Sequence, residues 1–196
     1  HAAMMGAIAD EYPLLGLALL HHRNTRGKPI SFASMPYLVE PYRDFPRIDG
    51  ADGVKAVQTG WSELMVMFAL ERAGWAGRHV AYVCQKSRAR DDFVKTRVDP
   101  CLVRVDAYRD RLGGNARTTD DGAELASDES GVANVRVKKF GTGSLRFLGS
   151  NVVDEFVEFS CDVLIVDEHD HCDEKNLDLA RDRLRESPSP QLFRIG

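Results

Sequence analysis

The sequence predicts an α/β protein built on a mainly parallel sheet with helices on its faces. Three observations lead there. Short continuous apolar runs, "HVAYVC" (79–84) and "DVLIVDE" (162–168), have the length and composition of strands buried on both faces. Between such runs lie stretches with apolar residues at helical spacing, "SELMVMFALERAG" (62–74) and "EKNLDLARDRLRES" (174–187). Strands alternating with helices favour parallel pairing. The chain has 196 residues, 43% hydrophobic and 29% charged, enough for one sizeable core with or without a small appendage.

Each element follows from its residues. Residues 12–22 read as a short apolar helix that stops before the turn-rich "NTRGKP". "SMPYLVEPYRDFPRIDGADG" (34–53) has three prolines, then glycines, and predicts short helical turns running into a loop. "VKAV" (54–57) is a short strand candidate, followed by the helix over 62–74 with a closing glycine. After the strand over 79–84, "KSRARDDFVKTRV" (86–98) reads as a polar-faced helix stopped by Pro100, with another helix over 101–112. Residues 113–131 are polar and rich in Gly, Ser and Asp, a loop composition. "VANVRVKKF" (132–140) and "GTGSLRFLGS" (141–150) predict a β-hairpin, its turn supplied by Gly141 and Gly143. "QLFRI" (191–195) is a last strand.

Charge and cysteines narrow the class. A net charge of −4 gives no overall electrostatic reason to expect nucleic acid. The four cysteines, Cys84, Cys101, Cys161 and Cys172, form no C-x-x-C pair, so reduced, buried thiols are expected. "YPLLGLALL" (12–20) is too short to span a bilayer. Met65 and Met67 read as core, and His21 and His22 as lying near a helix end.

The chemistry sits in two short motifs. "VKAVQTGWSE" (54–63) resembles a phosphate-binding loop, G-x-x-x-x-G-K-[ST], with its lysine moved. Gly60 and Ser62 hold the second glycine and hydroxyl positions, Trp61 stands where the lysine should be, and Lys55 takes the first glycine position. A lysine there can reach the β- and γ-phosphates, because its ammonium is a point charge on a flexible stem. The stretch expected at the phosphates is Lys55, Gln58, Thr59, Gly60, Trp61, Ser62 and Glu63. A plain helix N-terminus capped by Ser62, with Glu63 in the first turn and Trp61 in the core, competes with this reading. The second motif, "VLIVDE" (163–168), is an apolar strand with an acidic tip. Asp167, with the Ser62 hydroxyl, would hold Mg²⁺, and Glu168 would orient or deprotonate a water. Both motifs fall at strand ends, where ligands bind in open parallel sheets.

In this order and spacing the residues resemble a family, the phage terminase large subunits, motors that package double-stranded DNA into procapsids. Their loops carry K-x-x-Q-x-G-x-[ST]-E, and "VKAVQTGWSE" is similar. "HVAYVCQKSRARDDFVKTRVDPCL", "SLRFLGSN", "FSCDVLIVDEHDHC" and "LARDRLRESPSPQLFRIG" look like the segments that follow it, so the resemblance covers roughly residues 30–196. It implies a P-loop NTPase fold of the RecA/ASCE-like kind, with a small N-terminal helical extension and a β-hairpin insertion. It implies ATP and Mg²⁺ as ligands, Lys55 and Glu168 as catalytic residues, and Gln58 and Gly60 as loop-shaping residues. It places adenine near Pro36, Tyr37 and Tyr42, and expects an arginine acting in trans, for which Arg88, Arg90 and Arg97 are candidates. The implied organisation is a lead-in over residues 1–50 and an ATPase core over 51–196, ending where the coupling motif begins and without a nuclease domain. The implied partners are double-stranded DNA, the portal, the small terminase subunit and further copies in a ring, with the isolated chain monomeric. The implied place is the host cytoplasm, with no membrane.

Three other readings stay open at this point. "DEHD" (167–170) also fits superfamily-2 helicases, although no G-K-T loop accompanies it. His169, His171 and Cys172, with Asp170 and Asp173, form a weak zinc candidate that lacks paired ligand spacings. A nucleotide-binding module without turnover would explain Trp61 at the lysine position.

Overall fold

Apolar residues in the central strands alternate between two hydrophobic clusters, and this alternation organises the molecule. The structure is a computed structural model that describes residues 2–24, 26–54, 59–112, 134–157 and 159–196. Its strands are β1 (Gly50–Gly53), β2 (His79–Cys84), β3 (Val137–Phe140), β4 (Gly143–Gly149), β5 (Val163–Asp167) and β6 (Gln191–Ile195). They form one sheet in the order β1-β6-β5-β2-β4-β3. Every pairing is parallel except the β3–β4 hairpin at one edge.

The helices are α1 (Ala2–Glu11), α2 (Pro13–Leu20), α3 (Val39–Asp44), α4 (Trp61–Gly74), α5 (Ser87–Phe93), α6 (Asp99–Arg104), α7 (Asp106–Arg109) and α8 (Glu174–Arg185). On one face of the sheet, Val80, Tyr82, Val163, Ile165, Phe193 and Ile195 join α2, α4 and α6 in the larger cluster. On the other face, Ala81, Val83, Leu164 and Val166 meet Leu177, Ala180 and Leu184 of α8. Phe45, Phe68 and Phe193 pack at 4.7 to 6.1 Å between ring centroids, joining the turn before β1, α4 and β6. No helix among the described residues is long and apolar enough to cross a membrane.

Two sequence expectations are corrected. The strand before the loop is Gly50–Gly53, not 54–57: Val54 lies beyond its end and is 95% exposed, and residues 55–57 are outside the described residues. The segment "GADG" succeeds as an edge strand because it pairs in parallel with β6, and a Cβ on Gly50 would meet the Leu192 carbonyl oxygen at 2.1 Å. Nor does Pro100 stop the helix. A π-helical turn, Val94–Val98, follows α5, and Pro100 enters the first turn of α6, where a missing N–H is tolerated. The loop expected at 113–131 lies outside the described residues.

Candidate active site

The parallel strands present their carboxyl ends on one side, and the two motifs meet there. β6 lies between β1, which leads into the loop, and β5, which carries the acidic tip. α4 starts at Gly60, which has φ 83° and ψ 0°, a left-handed conformation. The left-handed backbone favours glycine, and a Cβ at Gly60 would come within 2.8 Å of Leu38 Cδ1, so that methyl would have to shift. Gly60, at the capping position, has no side chain to cap this helix start. Tyr37 OH donates to the Thr59 carbonyl at 3.0 Å and braces the chain entering the turn. Trp61 packs against the core, 6.0 Å from Phe45 between ring centroids, and also touches the cleft.

Two adjoining clefts open at this point. The larger, about 840 Å³, is walled by Thr59 to Glu63, by Leu38 and Tyr42, by Asn24, and by residues between Arg26 and Met35. The smaller, about 420 Å³, is lined by Ser62, Cys84, Gln85, Asp167 and Glu168, and by Ala89, Asp92, Phe93, Thr96 and Arg97. Ser62, Arg97 and Glu168 line both. The spacing of residues 89, 92, 93, 96 and 97 shows one helical face, continued through the π turn, lying along the smaller cleft.

The acidic tip is tightly supported. Asp167 is 7% exposed, and its Oδ2 accepts from Tyr82 OH at 2.9 Å. Burial, with the Asp167 charge adding to it, holds the Tyr82 hydroxyl far above its ordinary pKa, so it remains a donor. Burial likewise pushes up the neighbouring Cys84 thiol. Glu168 has φ 57°, the left-handed region, unusual for a residue with a side chain. Its Oε2 accepts from Gln85 Nε2 at 3.0 Å. Ser150 Oγ donates to the Gln85 carbonyl at 2.6 Å and accepts from the Asp173 N–H at 3.1 Å, while Asn176 Nδ2 donates to the Ser150 carbonyl at 2.7 Å. The start of α8 thus fixes the residue that holds Glu168.

The expected site residues are distributed as follows. Thr59, Gly60, Trp61, Ser62, Glu63, Asp167 and Glu168 come together; Lys55 and Gln58 lie outside the described residues. Tyr42 lines the large cleft but is 1% exposed, its hydroxyl on Met67 Sδ, while Pro36 and Tyr37 do not line it. Arg90 is 2% exposed and paired with Glu155 and with Asp91 within its own chain. Arg88 is exposed and lines neither cleft, whereas Arg97 points to its own chain's site. Sequence reasoning missed Gln85, the residue just after a strand adjoining the acidic one, and the wall made by Asn24 and residues between Arg26 and Met35. It also placed His22 only near a helix end, whereas His22 is fully buried against Glu63. The zinc candidate at residues 169–173 does not gather its donors. Among the described residues the group that does is His22, Glu63 and Cys101. Asp173 instead caps α8 through the Asn176 N–H at 3.2 Å.

A parallel sheet with a strand between the loop strand and the acidic strand, and a glycine-hinged helix start facing Asp-Glu, defines a P-loop NTPase fold. The family description "Phage terminase large subunit gpA, ATPase domain" matches residues 25–192, and the chain belongs to that family. Among solved structures it is similar to the HK97 bacteriophage large terminase, at 10% identity and TM-score 0.63, covering 93% of this chain and 36% of that one. It is also similar to the Thermus phage P74-26 large terminase ATPase domain, at 13% identity and TM-score 0.50, covering 75% and 58%. At these identities the likeness is one of fold. The chain therefore spans between about a third and a little over half of the solved chains it matches. A comparison with curated protein sequences gives no significant match.

Proposed function

We propose that this chain binds Mg²⁺–ATP in the paired clefts and hydrolyses it, as the ATPase part of a terminase that packages double-stranded DNA into procapsids. The observation that carries the reading is that Ser62, Asp167 and Glu168, from separate elements, line one cleft at the start of α4. The first N–H groups and the positive end of a helix suit phosphate. Lys55 adds an ammonium to the β- and γ-phosphates, and Gln58 shapes the loop. The donors at the cleft fit a hard cation: Ser62 and Asp167 offer oxygens, the ligands Mg²⁺ requires. Such an ion neutralises charge on the phosphates.

Glu168 accepts the proton of the attacking water while Gln85 holds its carboxylate. Arg97, which makes no ion pair among the described residues, stabilises charge on the transferred phosphoryl group from within its own chain. The base and ribose lie in the larger cleft, against Phe32, Met35 and Tyr42. In the host cytoplasm the chain would act with the portal, the small subunit and further copies of itself.

The test is ATP turnover and binding by the native chain and by Glu168→Gln. Turnover should fall about a hundredfold or more, the usual contribution of a general base, while nucleotide binding persists. Equal turnover by the two proteins would remove Glu168 from the chemistry.

A further inference from the structure

We infer that His22 keeps the start of α4 open for phosphate by holding Glu63 away from it, an inference that rests on the nucleotide reading above. Glu63 is the third residue of α4 after the capping position, Gly60. A glutamate there ordinarily folds back onto the N–H of the capping residue, satisfying a donor the helix leaves open. That N–H belongs to the same positive helix end that a phosphate uses, so a self-capping glutamate competes with the ligand and adds like charge beside it.

In this protein the carboxylate is engaged elsewhere. Glu63 Oε1 accepts from His22 Nε2 at 2.6 Å, and the capping residue Gly60 has no side chain of its own to offer the helix start. A carboxylate offers acceptors only, so His22 carries its proton on Nε2. Behind it, His22 Nδ1 meets Tyr108 OH at 2.9 Å, and the rings pack edge to face at 5.9 Å. His22 is 0% exposed, so it has no water to turn towards. Cys101 brings its thiol within 4.8 Å of both donors. Two ligands of one tetrahedral zinc lie about 3.3 Å apart. The 2.6 Å contact is shorter, and fits a shared proton better than a shared metal. His22 is therefore a positioning residue: it touches Glu63, and Glu63 faces the cleft.

The test is a double-mutant cycle read by calorimetric binding of a non-hydrolysable ATP analogue with Mg²⁺. His22→Asn keeps a partner for Tyr108 but withdraws the donor from Glu63. It should weaken binding about tenfold in the native background and have no effect in a Glu63→Ala background, where nothing is left to fold back. His22→Gln, whose amide reaches the place of Nε2, should recover most of the affinity. If His22→Asn melts below the assay temperature, Tyr108→Phe, which removes the support behind the imidazole, is put through the same cycle with the same expected pattern. Equal weakening in both backgrounds, or none in either, overturns this inference while leaving the nucleotide site in place. A native chain that binds no analogue overturns the nucleotide reading, and this inference with it.

Discussion

Gly60 carries two constraints at one position, a φ of 83° and a Leu38 methyl where a Cβ would go. Gly60→Ala should destabilise the fold by about 1–3 kcal/mol and misplace the start of α4, read as a lower melting temperature together with weaker nucleotide binding. Glu168 shows the opposite balance. It holds a left-handed conformation that suits glycine better than glutamate. Glu168→Gly should melt no lower than the native chain while losing turnover, a separation of stability from activity that thermal unfolding and an ATPase assay check together. Gln85 touches Glu168 from the neighbouring strand end. Gln85→Ala should lower kcat by about tenfold with little change in KM, because it loosens the base and not the binding site.

At the scale of elements, the end of the sheet away from the site has its own fastening. Asp162, just before β5, accepts from the His79 N–H at 2.9 Å and the Ser187 hydroxyl at 2.7 Å, with Arg78 at 3.8 Å. Burial alone would raise its carboxyl, but these hydrogen bonds and the guanidinium bring it below its ordinary value. A carboxyl depressed in the folded state contributes stability that is present above its unfolded pKa, about 3.9, and is lost as pH falls through the folded value. Asp162→Asn should therefore cost about 1–2 kcal/mol near neutral pH, and the difference from native should close below about pH 3, as followed by thermal melts across pH.

The elements also show what the sequence could disclose. β2 and β5 were legible because strands buried on both faces read as continuous apolar runs. β1 was not, since "GADG" has no strand propensity and is held by its register with β6. The helix that continues past Pro100 depends on a π turn, which has no signature in local composition. Ser62, Asp167 and Glu168 could be found from spacing. Gln85 and His22 could not, because topology and burial bring them to Glu168 and Glu63 from 83 and 41 residues away in the chain.

For the molecule as a whole, a single hydrophobic cluster runs from Leu14 in α2 to Ile195 in β6, so the lead-in and the sheet share one core. Leu14 is 0% exposed, and Leu14→Ala should cost about 3 kcal/mol and shift one cooperative transition without splitting it. This sharing matters for function, because α2 delivers His22 and the segment after it walls the larger cleft. On the proposed function, the meeting of α4 with the acidic strand is a nucleotide site served by a displaced lysine. This is tested most directly by calorimetric titration of Mg²⁺–ATP into the Glu168→Gln protein, with and without Lys55→Ala. Binding should be saturable and one-to-one, and Lys55→Ala should weaken it by about tenfold or more. Binding of equal strength in both proteins would contradict the role of the lysine, and no binding in either would contradict the site.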